Sequence, residues 1–282
     1  MAYDRNYYQD YSVYINGTEI KGVQSFNGGW TVPNTQMSAA GYEFVGTEIE
    51  GELVGDLSVS RSIITGIDPV TGMLGSSISG HFIYGAHESR NKSFNFTEGY
   101  ITSYDSSCSI GGIAESSFSV TAYGDIGTGV TPSTTYEEIT PNVATANSMT
   151  LNTSFGSTNA IQSYSLSFSL DVSPKYKIGS MFRPSSFDIA SPILVTLDFE
   201  VLANEYEIKN LLDSICSNDF EEDISFSLNE KCSNTPIASY ELSGAKLTSS
   251  NISATIGDNL SLSLGFEKRF STVSELVTNL FK

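Results

Sequence analysis

The side chains that most often carry chemistry are few in this chain of 282 residues, and they are poorly grouped. Its two histidines, His81 and His87, stand six positions apart, and neither lies at metal-ligand spacing from another His or Cys. Surface or hydrogen-bonded imidazoles are expected. Cys108, Cys216 and Cys232 are odd in number and widely spaced, with no Cys-x-x-Cys pair. That pattern points to reduced thiols and supports neither a zinc site nor a disulfide framework. Carboxylates at Glu48 and Glu50, or at Glu221, Glu222 and Asp223, have the chemistry of a glycosidase acid–base pair or a calcium site. Charge runs on loops are more often simply solvated. Gly124, Gly127 and Gly129 follow a strand-like run, but neither a helix nor a Lys-Ser/Thr pair comes after them, as a phosphate loop requires. There is no Gly-x-Ser-x-Gly elbow, Walker motif or His-Glu-x-x-His. The expectation is a protein that is not an enzyme, with no catalytic residue, no cofactor and no bound metal.

The stretch 33–56 carries Glu43, Glu48, Glu50, Glu52 and Asp56 with no Lys or Arg. Whatever this stretch faces is water or something better repelled than bound. The whole chain follows suit, with a formal charge of −18. Residues 1–140 hold 16 acids and 5 bases, and residues 141–282 hold 16 acids and 9 bases. A nucleic-acid groove needs clustered Lys and Arg to neutralise phosphates, which argues against one here. The start, Met-Ala-Tyr-Asp-Arg-Asn-Tyr-Tyr, lacks a signal peptide's apolar core, and no window reaches a membrane-spanning length, so folding in a cytosol is expected.

The elements that must position these residues are mostly strands, and they occur twice. A shift of 138 lays Val23 on Ile161, Phe26 on Tyr164, Trp30 on Phe168, Gly41 on Gly179, Glu50 on Asp188, Leu57 on Val195 and Ile63 on Val201. Within each copy large apolar residues alternate with small polar ones, as in Tyr164, Leu166, Phe168 and Leu170 against Ser165, Ser167 and Ser169. That is the signature of a half-buried strand. Two such strands flank a long loop in each copy, at 33–56 and 173–192. A second correspondence at a shift of 146 lays Gly99, Ile101, Cys108, Gly111 and Phe118 on Ala245, Leu247, Ala254, Gly257 and Leu264. It predicts hairpins turning at Gly111-Gly112 and Gly257-Asp258.

The extra residues fit a helix over Glu205–Cys216, with Ile208, Leu211, Leu212 and Ile215 on one face and Asn204 as its cap. The first copy has Gly66, Pro69, Gly72 and Gly75 there instead. Asn16-Gly17 suits a tight turn between Tyr11–Ile15 and Glu19–Phe26. Val273–Phe281 reads as a short helix with Val273, Leu276, Val277 and Leu280 on one face. The fold class is therefore mainly β: two tandem, internally duplicated β-sandwich or β-barrel domains, with one short helix clear only in the second. The divisions are an N-terminal arm (1–9), a first domain (10–123), a linker (124–158), a second domain (159–270) and a C-terminal tail (271–282).

A tandem pair of small β domains, each with two long strands flanking a long loop and a closing hairpin, resembles the tail tube proteins of tailed bacteriophages. The resemblance implies a virion protein of the tail, assembled in the host cytoplasm. It implies trimeric rings of pseudo-sixfold symmetry that stack into the tube through which DNA is ejected. The implied partners are the chain itself and other tail proteins such as a tape measure, terminator, baseplate or sheath, with DNA passing through without sequence-specific binding and no membrane involved. On that reading an acidic lining would keep a duplex from sticking, and the stretch Glu43–Asp56 or its counterpart 173–192 would mediate ring stacking or face the lumen. Two alternatives stay open: another tail, baseplate or decoration protein, and a carbohydrate-binding adhesive β module. Against the last, the lone Trp30 is in phase with Phe168, which reads as buried.

Overall fold

A computed structural model describes residues 12–39, 41–49, 53–64, 68–86, 89–127, 144, 149–153, 156–158, 160–179, 184–202, 221–230, 235–254 and 260–282. Among the described residues the chain is mainly β with one short α-helix, as its alternating patterns predict. The first half contains β1 (Ser12–Ile15), β2 (Thr18–Glu19), β3 (Val23–Thr31), β4 (Asn34–Ala39), β5 (Tyr42–Ile49), β6 (Val54–Ser62), β7 (Ile78–Ala86), β8 (Ser89–Ser109) and β9 (Glu115–Gly127). The second contains β10 (Met149–Thr153), β11 (Gly156–Thr158), β12 (Ile161–Ser169), β13 (Val172–Lys175), β14 (Ser186–Ile189), β15 (Ile193–Leu202), β16 (Glu221–Asn229), β17 (Pro236–Ser253), β18 (Ser261–Phe270) and the helix α1 (Val273–Leu280).

All pairings are antiparallel, and the two halves pair alike. The first runs β2-β1-β7-β8-β9-β6-β3 and the second β11-β10-β16-β17-β18-β15-β12. Registers agree in detail: Tyr14↔Glu19 corresponds to Asn152↔Ser157, Phe26↔Val59 to Tyr164↔Phe199, and Ile101↔Val120 to Leu247↔Phe266. Bulges recur at equivalent places, between Val23 and Ser25 and between Ile161 and Ser163, and again between Ile101 and Ser103 and between Leu247 and Ser249. Bulges bend a strand at a defined point, so the two halves bend alike.

Several expectations need correcting. The shift of 138 holds through β3 and β12 but becomes 140 at β6, where Val59, and not Arg61, is the counterpart of Phe199. The two added residues lie in the intervening segment, and an even slip keeps the apolar face inward. That segment is not a plain loop in either half. It forms a two-stranded arm, β4–β5 in the first and β13–β14 in the second. The tips turn at Gly41 and Gly179, which share φ values of 92° and 93°; without a Cβ, glycine adopts these readily. The strand expected over Glu19–Phe26 is broken between β2 and β3. The stretch 124–158 read as linker includes the end of β9 and all of β10 and β11, which extend the second half's sheet. The Asp68–Gly72 turn is a 3-10 helix over Pro69–Met73, capped by Asp68. The arm 1–9, the Glu205–Cys216 helix and the Gly257-Asp258 turn lie outside the described residues.

Each half packs two layers face to face, as the rings show. Phe26 on β3 stacks on Phe82 on β7 at 5.1 Å, and Phe199 on β15 meets Phe226 on β16 edge-on at 5.3 Å. The core then continues between halves, because Tyr104 on β8 stacks on Phe168 on β12 at 5.4 Å and meets Phe281 at 5.7 Å. Burying such a side chain contributes about 1.5–3 kcal/mol. Helix α1 buries Leu276 and Leu280 against its own chain and is capped by Thr272, whose Oγ1 accepts from the Glu275 N–H at 3.1 Å.

Candidate functional site

The largest feature built by this topology is a single sheet face. Strands β3, β6, β9, the C-terminal part of β8, β12, β15, β18 and the C-terminal part of β17 lie side by side in that order. The halves join because β12 pairs with the end of β8, from Ser163↔Ser109 to Ser169↔Ser103. Side chains alternate across a strand, so most apolar residues of these eight strands go to the core and the intervening, mostly polar residues go to the other face. The register sets those residues in rows: Asn27, Ser58, Ser119 and Ser103 form one, and Asp105, Ser167, Thr196, Glu267 and Lys246 form another. Small hydroxyls dominate and tie neighbouring strands together, as where Ser167 Oγ and Thr196 Oγ1 approach to 2.7 Å.

The charge on this face is mostly negative. Asp56, Asp105, Glu115, Asp198, Glu200 and Glu267 lie on it, against Lys246 and Arg269. Partial burial in the sheet pushes the Asp105 carboxyl up from its usual range. Asp198 is raised by burial and then by the Glu267 carboxylate beside it. Both effects disfavour charge, and both follow from acids being crowded on one surface.

The acids singled out in the sequence are separated by the fold. Glu43 and Glu48 fall on β5 in the arm, Asp56 falls on β6 in the polar face, and Glu50 and Glu52 lie outside the described residues. Asp56 is exposed and accepts from Thr121 Oγ1 at 3.4 Å. Asp105, Asp198, Glu200 and Glu267 were passed over because they are scattered in sequence. The signal that finds them is their place between buried apolar residues of single strands, as in Leu197-Asp198-Phe199-Glu200-Val201. The Glu221, Glu222 and Asp223 run is one strand seen from both sides: Glu222 is buried while Glu221 and Asp223 are exposed, and Asp223 Oδ1 accepts from the Gly244 N–H at 2.9 Å. His81 stacks on Tyr14 at 4.9 Å, burial lowers its pKa, and His87 lies outside the described residues.

Ionisable groups also meet inside the molecule, where the halves join. The Tyr104 hydroxyl donates to Asp68 Oδ2 at 2.9 Å and lies 3.3 Å from the Tyr240 hydroxyl, while Arg61 Nη1 stands 3.8 Å from Asp68 Oδ1. Arg61 and Asp68 are buried, as are both tyrosines. Burial, then the neighbouring Tyr240 and Asp68, push the Tyr104 hydroxyl well up. This cluster is closed to solvent and acts as a pin between the halves.

Among the described residues no further strand covers the two edges of the eight-strand array. Among the described residues, β3 pairs with β6 alone, and the Ser249–Ser253 end of β17 pairs with β18 alone. Three exposed large apolar residues lie at these edges: Trp30 is 56% exposed, Val32 41% and Ile252 60%, whereas Phe168 and Leu170, the counterparts of Trp30 and Val32, are 5% and 3% exposed. A groove of about 540 Å³ runs beside β3 and is lined by Trp30, Thr31, Asp56, Ser58, Thr121 and their neighbours. Among the described residues no helix is long and apolar enough to cross a membrane. The chain matches no protein-family model and no curated protein sequence.

Proposed function

We propose that this chain is a structural subunit of a bacteriophage tail tube, built from a duplicated β domain and assembling with copies of itself into stacked rings that conduct DNA. The observation that carries the reading is the eight-strand array with one acidic, hydroxyl-rich face and two open edges. Open edges are a liability that closure removes. A duplicated unit lets three chains close a ring of six similar parts.

The dimensions support the reading. Eight strands closed on themselves at ~4.8 Å spacing and ~40° tilt give a backbone diameter of ~16 Å, which side chains fill. Three chains give twenty-four strands and a diameter of ~48 Å, which leaves a wide aqueous bore. A hydroxyl surface carrying excess carboxylates repels a passing phosphate backbone. The arm tips, where Ile178 is wholly exposed, are suited to contact the next ring. On this reading the partners are other tail proteins at the two ends of the tube or around it, and no catalytic activity is involved.

Negative-stain electron microscopy of the concentrated protein, with light scattering on the same sample, tests the proposal. Hollow rings or tubes with three chains per ring are expected. A chain that stays monomeric at high concentration and binds a glycan would instead favour an adhesive module.

A further inference from the structure

Resting on that reading, we infer that the open edge of β3 pairs antiparallel with the Ser249–Ala254 stretch of a second copy of this chain. The register is that of the internal β12–β8 seam, and the acidic β4–β5 arm lies over Lys246, Lys268 and Arg269 of that second copy.

The internal seam supplies the template. β12 is the counterpart of β3 at a shift of 138, and the end of β8 is the counterpart of 249–254 at a shift of 146. The pairs Tyr164↔Cys108, Leu166↔Ser106, Phe168↔Tyr104 and Ser169↔Ser103 become Phe26 with Ala254, Gly28 with Ile252, Trp30 with Ser250 and Thr31 with Ser249. Gly28, Trp30 and Thr31 on β3 and Ser249, Ile252 and Ala254 on the other stretch are exposed, while Phe26 and Ser250 are half-buried.

The side chains fit in compensating sizes. Inside the chain a large Leu166 stands opposite a small Ser106; between chains a Gly28 would stand opposite a large Ile252. Phe168 opposite Tyr104 is replaced by the larger Trp30 opposite the smaller Ser250. The first exchange nearly conserves volume, as a packed seam tolerates, and the second leaves room beside Ser250 for the larger ring of Trp30. The polar contact also changes consistently: Ser106 Oγ and the buried Tyr164 hydroxyl lie 2.9 Å apart, and their counterparts, Ile252 and Phe26, are both apolar. The seam would therefore cover Trp30 and Ile252, the two most exposed apolar residues on these edges.

The arms extend the parallel from packing to charge. The second arm rests on the first half through Phe187, whose ring lies 4.2 Å from Tyr100 and 4.9 Å from Tyr123. The counterparts of those two rings are Lys246 and Arg269. With Lys268, Glu221 and Glu267 they line a surface hollow of about 450 Å³. The first arm carries Glu43 and Glu48 on β5, with Glu50 and Glu52 following, and no cation. Glu48 takes the register position of Asp188. An aromatic clasp within the chain is thus replaced by an ionic one between chains, which makes assembly dependent on salt.

Cysteines read the register directly. Asn27→Cys with Ser253→Cys, the counterparts of Ser165 and Ser107, should form interchain disulfides under mild oxidation of the concentrated full chain. Asn27→Cys with Ile252→Cys, one position out of register, should not, and each single variant controls for the native thiols. Ser165→Cys with Ser107→Cys should close within one chain, which establishes that this position admits a disulfide. Emission from the only tryptophan, Trp30, should shift to the blue with concentration as its ring is covered. Arg269→Glu should raise the concentration needed for assembly about tenfold at low salt. Particles that form without the 27–253 bridge, while the internal control closes, would overturn the seam and leave self-assembly standing. Neither particles nor bridge at any concentration would overturn the seam and the tube reading together. Assembly unchanged by Arg269→Glu at low salt would overturn the ionic clasp.

Discussion

Removing the carboxylate of Asp68 should be among the most damaging single changes in this molecule, although it deletes only a few atoms. Asp68 is 6% exposed and Arg61 is 3% exposed. One carboxylate faces the Arg61 guanidinium at 3.8 Å, accepts from the Tyr104 hydroxyl at 2.9 Å and accepts from the Val70 N–H at 3.1 Å. Asp68→Ala leaves a buried cation uncompensated and two buried donors without this acceptor, at a cost of about 3–5 kcal/mol. For a chain of this size that lowers Tm by roughly 6–20 °C. Tyr240→Phe loses the 3.3 Å contact with the Tyr104 hydroxyl and a hydrogen bond with Ser106 and should cost about 1–3 kcal/mol. The charge argument makes a sharper claim than the totals do. If the penalty is the orphaned cation, Asp68→Ala combined with Arg61→Met should be less destabilised than Asp68→Ala alone. Urea unfolding followed by circular dichroism measures these variants and Arg61→Met alone. An Asp68→Ala cost below about 1 kcal/mol, or a double variant that loses the sum of both singles, would refute the assignment of the cluster as a pin.

Other outcomes follow from single elements. Leu276→Ala, at a fully buried position of α1, should cost about 2–5 kcal/mol in the same urea assay and expose the segment after β18 to limited proteolysis. Gly111→Ala, at φ 77° with open space around it, should cost only the backbone penalty of about 1–2 kcal/mol, whereas any much larger loss would point to a contact there. Asp198 has its pKa raised in the folded state, so the folded chain holds that proton more tightly than the unfolded one, and stability falls as pH rises from the unfolded value through the folded value. Asp198→Asn should flatten that segment of a stability-versus-pH curve, with a gain at pH 7 within about 0.5 kcal/mol because the group is solvent-exposed.

The fold class and the two matching halves could be read from the chain because period-two alternation is local. In Ile193–Leu202 each residue's face is set by its neighbours alone, and burial follows the pattern at every position. The Asn16-Gly17 turn, with φ values of 50° and 77°, and the capped helix at 273–280 were legible for the same reason. The arms were not. Their strands are short and their apolar residues, such as Phe44, Val45, Phe187 and Ile189, are interrupted by Gly, Pro and charge, so nothing local distinguishes a two-stranded ribbon from a loop until its partner strand is placed opposite. The polar face was half legible: alternation marks Asp198 and Glu200 as facing away from the core, but only strand order sets Asp198 beside Glu267 and puts Glu267 in one row with Asp105 across the seam.

By itself the sequence determined which residues of each strand go inward, that the pattern occurs twice, and that the surface would be acidic, since these depend on residue type and spacing alone. The tertiary structure decided the order of strands, the joining of the halves through β12 and β8, the burial of Arg61 with Asp68, and which two strands end the array among the described residues. Those depend on register between segments far apart in the chain, where a pairing is chosen by how well two whole surfaces fit and no short stretch carries the information.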